Sequence, residues 1–359
     1  MNPCQALHDL GQSLWLDNIT RGILDDGTLR RYIDEFSVTG LTSNPTIFDE
    51  AIGKSDAYDQ SIAAAARTGK SSEQIFISVA LEDLRRAADL FAPAHRSTNG
   101  IDGWVSMEVS PLIANDTAKS IESAKSIHRE ADRENLFVKI PGTPAGVPAI
   151  EEAIYEGIPI NVTLLFSREQ YLASAEAYMR GIERRLSAGR DPNVLSVASL
   201  FVSRWDKAVA STAPESLRNR LGVAIGGRTY RAYRELLASA RWRKLVAQGA
   251  RPQRVLWAST GTKDPKASET LYVEALAAPD TIDTMPEKTL HALAEHGKIS
   301  LPMRDDGGDA EAVLAEFKKA GIDIDKLATQ LQVDGADAFV KSWTQLMGNV
   351  EKKRIADSK

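Results

Sequence analysis

One lysine stands in the middle of an apolar run, Leu136-Phe137-Val138-Lys139-Ile140, which Pro141 closes. Phenylalanine, valine and isoleucine suit a buried strand, and a residue before proline is held extended, so the strand should stop there. Side chains alternate along a strand, which puts Lys139 on the face of Phe137 and not on that of Val138 and Ile140. A cationic lysine is costly among apolar groups, and a neutral one attacks carbonyl carbon to form a Schiff base. The plainer alternative is a lysine whose head reaches water. Other strand-like runs favour the chemical reading, because they place polar residues on one face. In Val105-Ser106-Met107-Glu108-Val109-Ser110 the even positions share a face. So do Asn161 with Thr163, Ser199 with Phe201, and Asp17 with Trp15. Carboxylates are rarely buried unpaired, so Glu108 and Asp17 stand out. A lysine, two carboxylates, an asparagine and a threonine are equipment for Schiff-base chemistry. One carboxylate shuttles protons through carbinolamine formation and dehydration, and the other takes a hydroxyl proton so that a carbon-carbon bond can break.

Two cations follow strand-like runs, Arg204 after Ser199-Leu200-Phe201-Val202-Ser203 and Lys263 after Trp257-Ala258-Ser259-Thr260-Gly261-Thr262. An arginine there suits a bidentate phosphate contact, and Ser259 can add a hydroxyl donor. Pairing of Arg204 with Asp206, and a solvated Lys263, are the structural alternatives. The five histidines, His8, His95, His128, His291 and His296, show no metal-ligand spacing. Neither Gly142-Thr143-Pro144-Ala145-Gly146 nor Gly261-Thr262-Lys263 matches a phosphate loop, and no dinucleotide fingerprint follows the first strand. Gly226-Gly227 reads as a turn or helix start.

These residues need a frame with strand ends converging on one mouth. Candidate strands are Ser13 to Asn18, Gly40 to Asn44, Gly103 to Ser110, Leu136 to Ile140, Ile158 to Phe166, Val194 to Val202, Arg254 to Ser259 and Thr281 to Met285. Helical patterns lie between them, at Thr28 to Phe36, Thr117 to Glu130, Pro148 to Tyr155, Arg168 to Leu186, Arg228 to Gln248, Lys266 to Ala277 and Pro286 to Glu295. Repeated strand-helix alternation signals a parallel sheet. Eight units fit a single (β/α)8 barrel over about residues 13–300, with a doubly wound sheet as the alternative. In such a barrel, inward polar residues near strand ends mark a site at the C-terminal mouth. Extra helices are expected within 47–92, between the second and third strands, and within about 310–353. The whole of 1–359 is read as one domain.

The 359 residues carry a formal net charge of -5, 43% hydrophobic and 26% charged residues, ordinary for a globular protein. The acidic balance disfavours a dedicated nucleic-acid binder. One cysteine, Cys4, excludes an intrachain disulfide. With no signal-peptide pattern and no membrane-spanning apolar run, a cytoplasmic protein is expected. The acidic turn Asp305-Asp306-Gly307-Gly308-Asp309 reads as a solvated loop.

Five segments, taken together and in order, resemble transaldolase: Gly40-Leu41-Thr42-Ser43-Asn44-Pro45-Thr46, Val105-Ser106-Met107-Glu108-Val109, Leu136-Phe137-Val138-Lys139-Ile140, Ile160-Asn161-Val162-Thr163-Leu164-Leu165-Phe166 and Ser199-Leu200-Phe201-Val202-Ser203-Arg204. The resemblance implies a lysine-dependent aldolase barrel of the pentose phosphate pathway. It would transfer a dihydroxyacetone unit from sedoheptulose 7-phosphate or fructose 6-phosphate to glyceraldehyde 3-phosphate or erythrose 4-phosphate. By the same resemblance Lys139 carries the Schiff base, and Asp17 acts on the C4 hydroxyl. Glu108 and Thr163 hold a water and relay protons, and Asn44 and Asn161 orient substrate hydroxyls. Ser199 and Phe201 line the site, and Arg204 binds phosphate. No metal or organic cofactor is implied, and a homo-oligomer is left open. The chain departs from the family where many members carry Ala-Ser-Phe-Arg after the seventh strand; here the text is Ala258-Ser259-Thr260-Gly261-Thr262-Lys263, without the arginine. A lysine lacks the bidentate fork, so donor and acceptor preference stay open. Two rivals are an aldolase-like lyase that releases dihydroxyacetone and a non-catalytic sugar-phosphate-binding barrel. A fusion with an isomerase is disfavoured, because the tail after residue 300 is too short for a second enzyme.

Overall fold

Eight parallel strands follow the apolar runs of the sequence. A computed structural model of the chain describes residues 2–356. The strands are β1 (Ser13–Leu16), β2 (Val38–Leu41), β3 (Val105–Glu108), β4 (Leu136–Pro141), β5 (Ile160–Leu165), β6 (Ser196–Phe201), β7 (Gln253–Ala258) and β8 (Ile282–Met285). Their order is β2-β1-β8-β7-β6-β5-β4-β3. The remaining seam is joined by a parallel bridge between Gly40 and Trp104. There Leu41 N donates to Trp104 O at 2.9 Å and Gly103 N to Thr39 O at 2.7 Å. Gly40 has to be glycine, since a Cβ would stand 2.6 Å from Trp15 Nε1 and 2.8 Å from Trp104 O. The sheet therefore curls into the expected (β/α)8 TIM barrel.

Every strand residue except Thr39 is buried, as expected of a parallel sheet with both faces covered. Inside the barrel, Phe137 stacks on Trp104 with ring centroids 3.9 Å apart, and Trp15 lies 6.1 Å away. These rings make an apolar floor. Lys139, two residues further along β4 on the same face, stands above it toward the C-terminal mouth.

Helices fill the expected insertions. Pro45–Gly53, Asp59–Ala66 and Ser72–Ser97 lie between β2 and β3, and Ala310–Lys319 and Ile324–Ala356 follow the barrel. The last helix lies along Pro45–Gly53 and Ser72–Ser97. Trp343 meets Phe76 edge-on at 5.3 Å, and Asn349 Nδ2 donates to Asp49 Oδ1 at 2.8 Å. β1, β3, β5, β6 and β8 are shorter at their ends than the sequence suggests, β2 and β7 begin and end earlier, and β4 runs one residue further, to Pro141. The single helix expected over Arg228 to Gln248 is two, Leu221–Leu237 and Ala240–Val246, because Ser239 caps the second through Trp242 N at 3.1 Å. Gly226 and Gly227 lie inside the first of these and not at a turn, where Leu276 and the Gly307 carbonyl press close. The helix expected over Lys266 to Ala277 shrinks to Leu271–Ala275, since Thr262 Oγ1 bonds the Ser268 carbonyl at 2.7 Å and folds the preceding residues into a loop. The acidic turn at 305–309 pairs with arginines, Asp305 with Arg234, Asp306 with Arg304 and Asp309 with Arg220. Among the described residues no helix is long and apolar enough to cross a membrane, and no group of three or more His, Cys, Asp or Glu could hold a metal ion.

Candidate active site

Lys139 is 5% exposed at the barrel mouth. Its Nζ donates to the Ser43 carbonyl at 2.8 Å and stands 3.5 Å from Glu108 Oε2. Register explains the pairing, for Lys139 on β4 is level with Glu108 on β3 and with Asn161 on β5. Glu108 is buried, and neither carboxylate oxygen has a geometric hydrogen bond within the protein. Burial pushes its pKa up, against the opposing pull of the Lys139 ammonium. The Thr163 hydroxyl is likewise buried without a protein partner. Buried polar groups of this kind normally find water or a ligand.

Asp17, just past β1, accepts from Thr42 Oγ1 at 2.9 Å, and that hydroxyl also meets Thr284 Oγ1 at 2.6 Å. Burial raises the pKa of Asp17 too, and Lys139 is the largest influence against the rise. Asp17, Lys139 and Thr163 line one chamber of about 110 Å³ together with Asn44, Ser199, Phe201, Arg204, Ser259 and Lys263. Two anticipated residues stand one layer back from that lining. Glu108 lies beside Lys139, and Asn161 receives Ser199 Oγ at 2.7 Å while its amide donates to Ser106 Oγ at 3.2 Å. Asn44 has a structural duty as well, its side-chain oxygen capping the helix Pro45–Gly53 through Ile47 N at 3.1 Å.

Arg204 is half-buried and does not pair with Asp206. That carboxylate accepts from Leu221 N, Gly222 N and the Tyr272 hydroxyl, each at 2.9 Å. The Arg204 guanidinium instead lies over the Phe201 ring at 4.9 Å and faces Phe339 at 5.8 Å. Lys263 sits on the rim, where partial desolvation and then Arg204 and Lys207 lower its pKa. Ser259 holds φ +56 and its hydroxyl meets Ser203 Oγ at 3.0 Å. An adjoining cleft of about 240 Å³ shares Lys263 and is lined by Asp206, Lys207, Arg218 and Tyr272.

The structure adds Thr42, Thr284, Pro286 and Phe339 to the lining. Thr42 lies within the segment that includes Asn44, so proximity could have found it. Phe339 comes from the last helix, and nothing local in the sequence marks it. Cys4 is buried and does not line the chamber, and burial pushes its thiol up to about 12, which leaves it inert.

Known proteins match the chain over nearly its whole length. A transaldolase of Thermobifida fusca (strain YX) is 43% identical over 364 residues, 99% of this chain and 99% of the relative. A transaldolase of Arthrobacter sp. (strain FB24) is 42% identical, covering 97% of this chain and 96% of its own. Transaldolase 2 of Nostoc punctiforme (strain ATCC 29133 / PCC 73102) is 40% identical, with 98% and 97% covered. The sequence model of the family described as Transaldolase/Fructose-6-phosphate aldolase matches residues 14–350, from the first strand through the helix that reaches the chamber. A family match that spans the barrel, with relatives about 40% identical over nearly their full length, places the chain in the transaldolase/fructose-6-phosphate aldolase family.

Proposed function

We propose that the chain is a transaldolase that moves a dihydroxyacetone unit between sugar phosphates, from sedoheptulose 7-phosphate to glyceraldehyde 3-phosphate, giving erythrose 4-phosphate and fructose 6-phosphate. The observation that carries the reading is Lys139, buried at the barrel mouth with Glu108 at 3.5 Å and Asp17 in the same chamber. Lys139 Nζ attacks the donor ketone, and Glu108 takes and returns protons as the carbinolamine forms and loses water. A carboxyl whose pKa is raised suits the acid step, since it holds a proton for the departing hydroxide. Thr163 assists that relay. Asp17 then removes the C4 hydroxyl proton. The C3–C4 bond breaks, and its electron pair flows into the iminium to leave an enamine on Lys139. The aldose departs, the acceptor aldehyde enters, the enamine carbon bonds to it, and Asp17 returns the proton to the new hydroxyl. Water then adds to the iminium carbon with Glu108 relaying protons, and the carbinolamine collapses to release the ketose and free Lys139. Asn44 and Asn161 orient hydroxyls, Ser199 and Phe201 shape the chamber, and Arg204 with Ser259 and Lys263 receives phosphate.

Release of free dihydroxyacetone is the competing reading, since the family description covers both activities. Two things favour transfer. The relatives carry the transaldolase name, and no tyrosine is among the described residues lining the chamber, whereas the lyase branch is expected to use one for proton transfer. Borohydride reduction with fructose 6-phosphate, then peptide mass mapping, tests the mechanism. A three-carbon adduct on Lys139 is expected, and its absence with folded protein and EDTA present sinks the lysine chemistry. Product formation that requires an acceptor aldehyde separates transfer from lysis.

A further inference from the structure

The helix Ile324–Ala356 does more than cover the barrel. Gln332, half-buried on its first turns, donates from Nε2 to two carbonyls, Gly142 O at 3.0 Å and Leu164 O at 2.9 Å. Gly142 lies just past β4, three residues after Lys139. Leu164 lies on β5, one residue after Thr163. The two points are already joined, because Gly142 N donates to Thr163 O at 2.8 Å. Leu164 also holds φ +58, a region that a branched side chain rarely enters. The ladder between β5 and β6 shifts register between Val162 and Leu165, so Leu164 sits in the irregularity. A backbone of this kind persists only where its surroundings fix it. One amide group, arriving from far along the chain, bonds both strand ends at that spot.

We infer that Gln332 is a positioning residue for Lys139 and Thr163, acting through the carbonyls of Gly142 and Leu164. It touches neither substrate nor the reacting atoms. It fixes the backbone turn that sets the direction of the Thr163 hydroxyl and the spacing of the β4 and β5 ends. The inference rests on the reading of Lys139 and Thr163 as working groups of the transfer.

Gln332→Leu keeps much of the volume and removes the donor, and Gln332→Glu puts oxygens against two carbonyls. In both, kcat for transfer should fall about 10- to 100-fold while the donor KM stays within about twofold. Borohydride should still trap an adduct on Lys139, more slowly. Hydrogen exchange reads the same contact without any activity. Peptides covering 136–146 and 160–167 should exchange about tenfold faster in Gln332→Leu, and those covering β1 and β8 should not. Unchanged kcat with unchanged exchange overturns the inference. So does a lower Tm with kcat at 20 °C unaltered, which is what a merely structural contact would give. If the wild-type protein neither transfers dihydroxyacetone nor forms an adduct, the proposed function fails by itself, and the exchange pattern alone decides whether Gln332 holds the two strand ends.

Discussion

Asp17 and Glu108 are both carboxyl groups whose pKa burial raises against the same ammonium, yet in the proposed mechanism their placement divides the work. Glu108 stands against the nitrogen of Lys139, whereas Asp17 faces the chamber from β1. Removing each should therefore stop the reaction at a different atom. Asp17→Asn keeps the hydrogen-bond acceptor for Thr42 and loses the base. Its kcat should fall about 10²- to 10⁴-fold, and borohydride should trap the uncleaved six-carbon sugar on Lys139 instead of the three-carbon fragment. Glu108→Gln should slow formation of any adduct. A three-carbon adduct from Asp17→Asn at the wild-type rate would remove Asp17 from the cleavage step. A third carboxyl, Asp283 on β8, is fully buried and pushed up to about 7 by burial, against the Thr260 hydroxyl that donates to it at 2.8 Å. An unburied aspartate titrates at about 4, so between about pH 4 and pH 7 the folded chain keeps a proton that the unfolded chain releases. This contribution to stability is complete below pH 4 and is lost as the pH climbs to 7. Asp283→Asn stays neutral throughout. Its unfolding free energy relative to wild type should rise by about 1.4 kcal/mol per pH unit across that window, levelling at up to about 4 kcal/mol. Urea unfolding at pH 5, 6, 7 and 8 measures the slope, and a flat difference would mean that Asp283 ionises normally.

At the scale of elements, the site depends on strand ends and on one distant helix. The strands were readable because period-two alternation and proline punctuation are local, and Ser106, Glu108, Asn161, Thr163 and Ser199 follow from it. Gln332, Gly335 and Phe339 were not readable, since only the closed fold brings residues 324–356 over the mouth. Gly335 shows how tight that approach is. A Cβ there would meet Leu164 Cδ2 at 2.9 Å and Arg204 Nη1 at 3.1 Å. Alanine is better than glycine inside a helix by about 1 kcal/mol, and the atoms it would press are the ends of side chains. Gly335→Ala should therefore leave Tm unchanged or slightly raised while displacing the guanidinium. The expected cost is in phosphate recognition, with KM for fructose 6-phosphate up about tenfold and kcat within about threefold. An unchanged KM would detach Arg204 from the phosphate.

On the whole-molecule scale, the barrel and both helical insertions were legible because eight strand-helix units repeat over the chain. The helix breaks near Ser239 and Ser268 were not, since side-chain caps and turn bonds decided them. Charge at this scale carries a further consequence. The chain is acidic, at -5 overall, but its mouth gathers Arg204 and Lys263 on the chamber lining. Against them stand Asp17 and Glu108, whose charge burial disfavours. A cationic mouth on an acidic surface focuses phosphate dianions and repels few of them. Salt shortens the reach of that field from about 30 Å at 0.01 M to about 3 Å at 1 M. Across that range kcat/KM for glyceraldehyde 3-phosphate should fall by about tenfold, while kcat/KM for unphosphorylated glyceraldehyde stays nearly level. Lys263→Met should flatten the salt slope for the phosphorylated acceptor, because it removes a rim charge without touching the Schiff base. Equal slopes for the two acceptors would show that the rim cations neither steer nor hold phosphate, and that Arg204 and Lys263 serve the chamber walls alone.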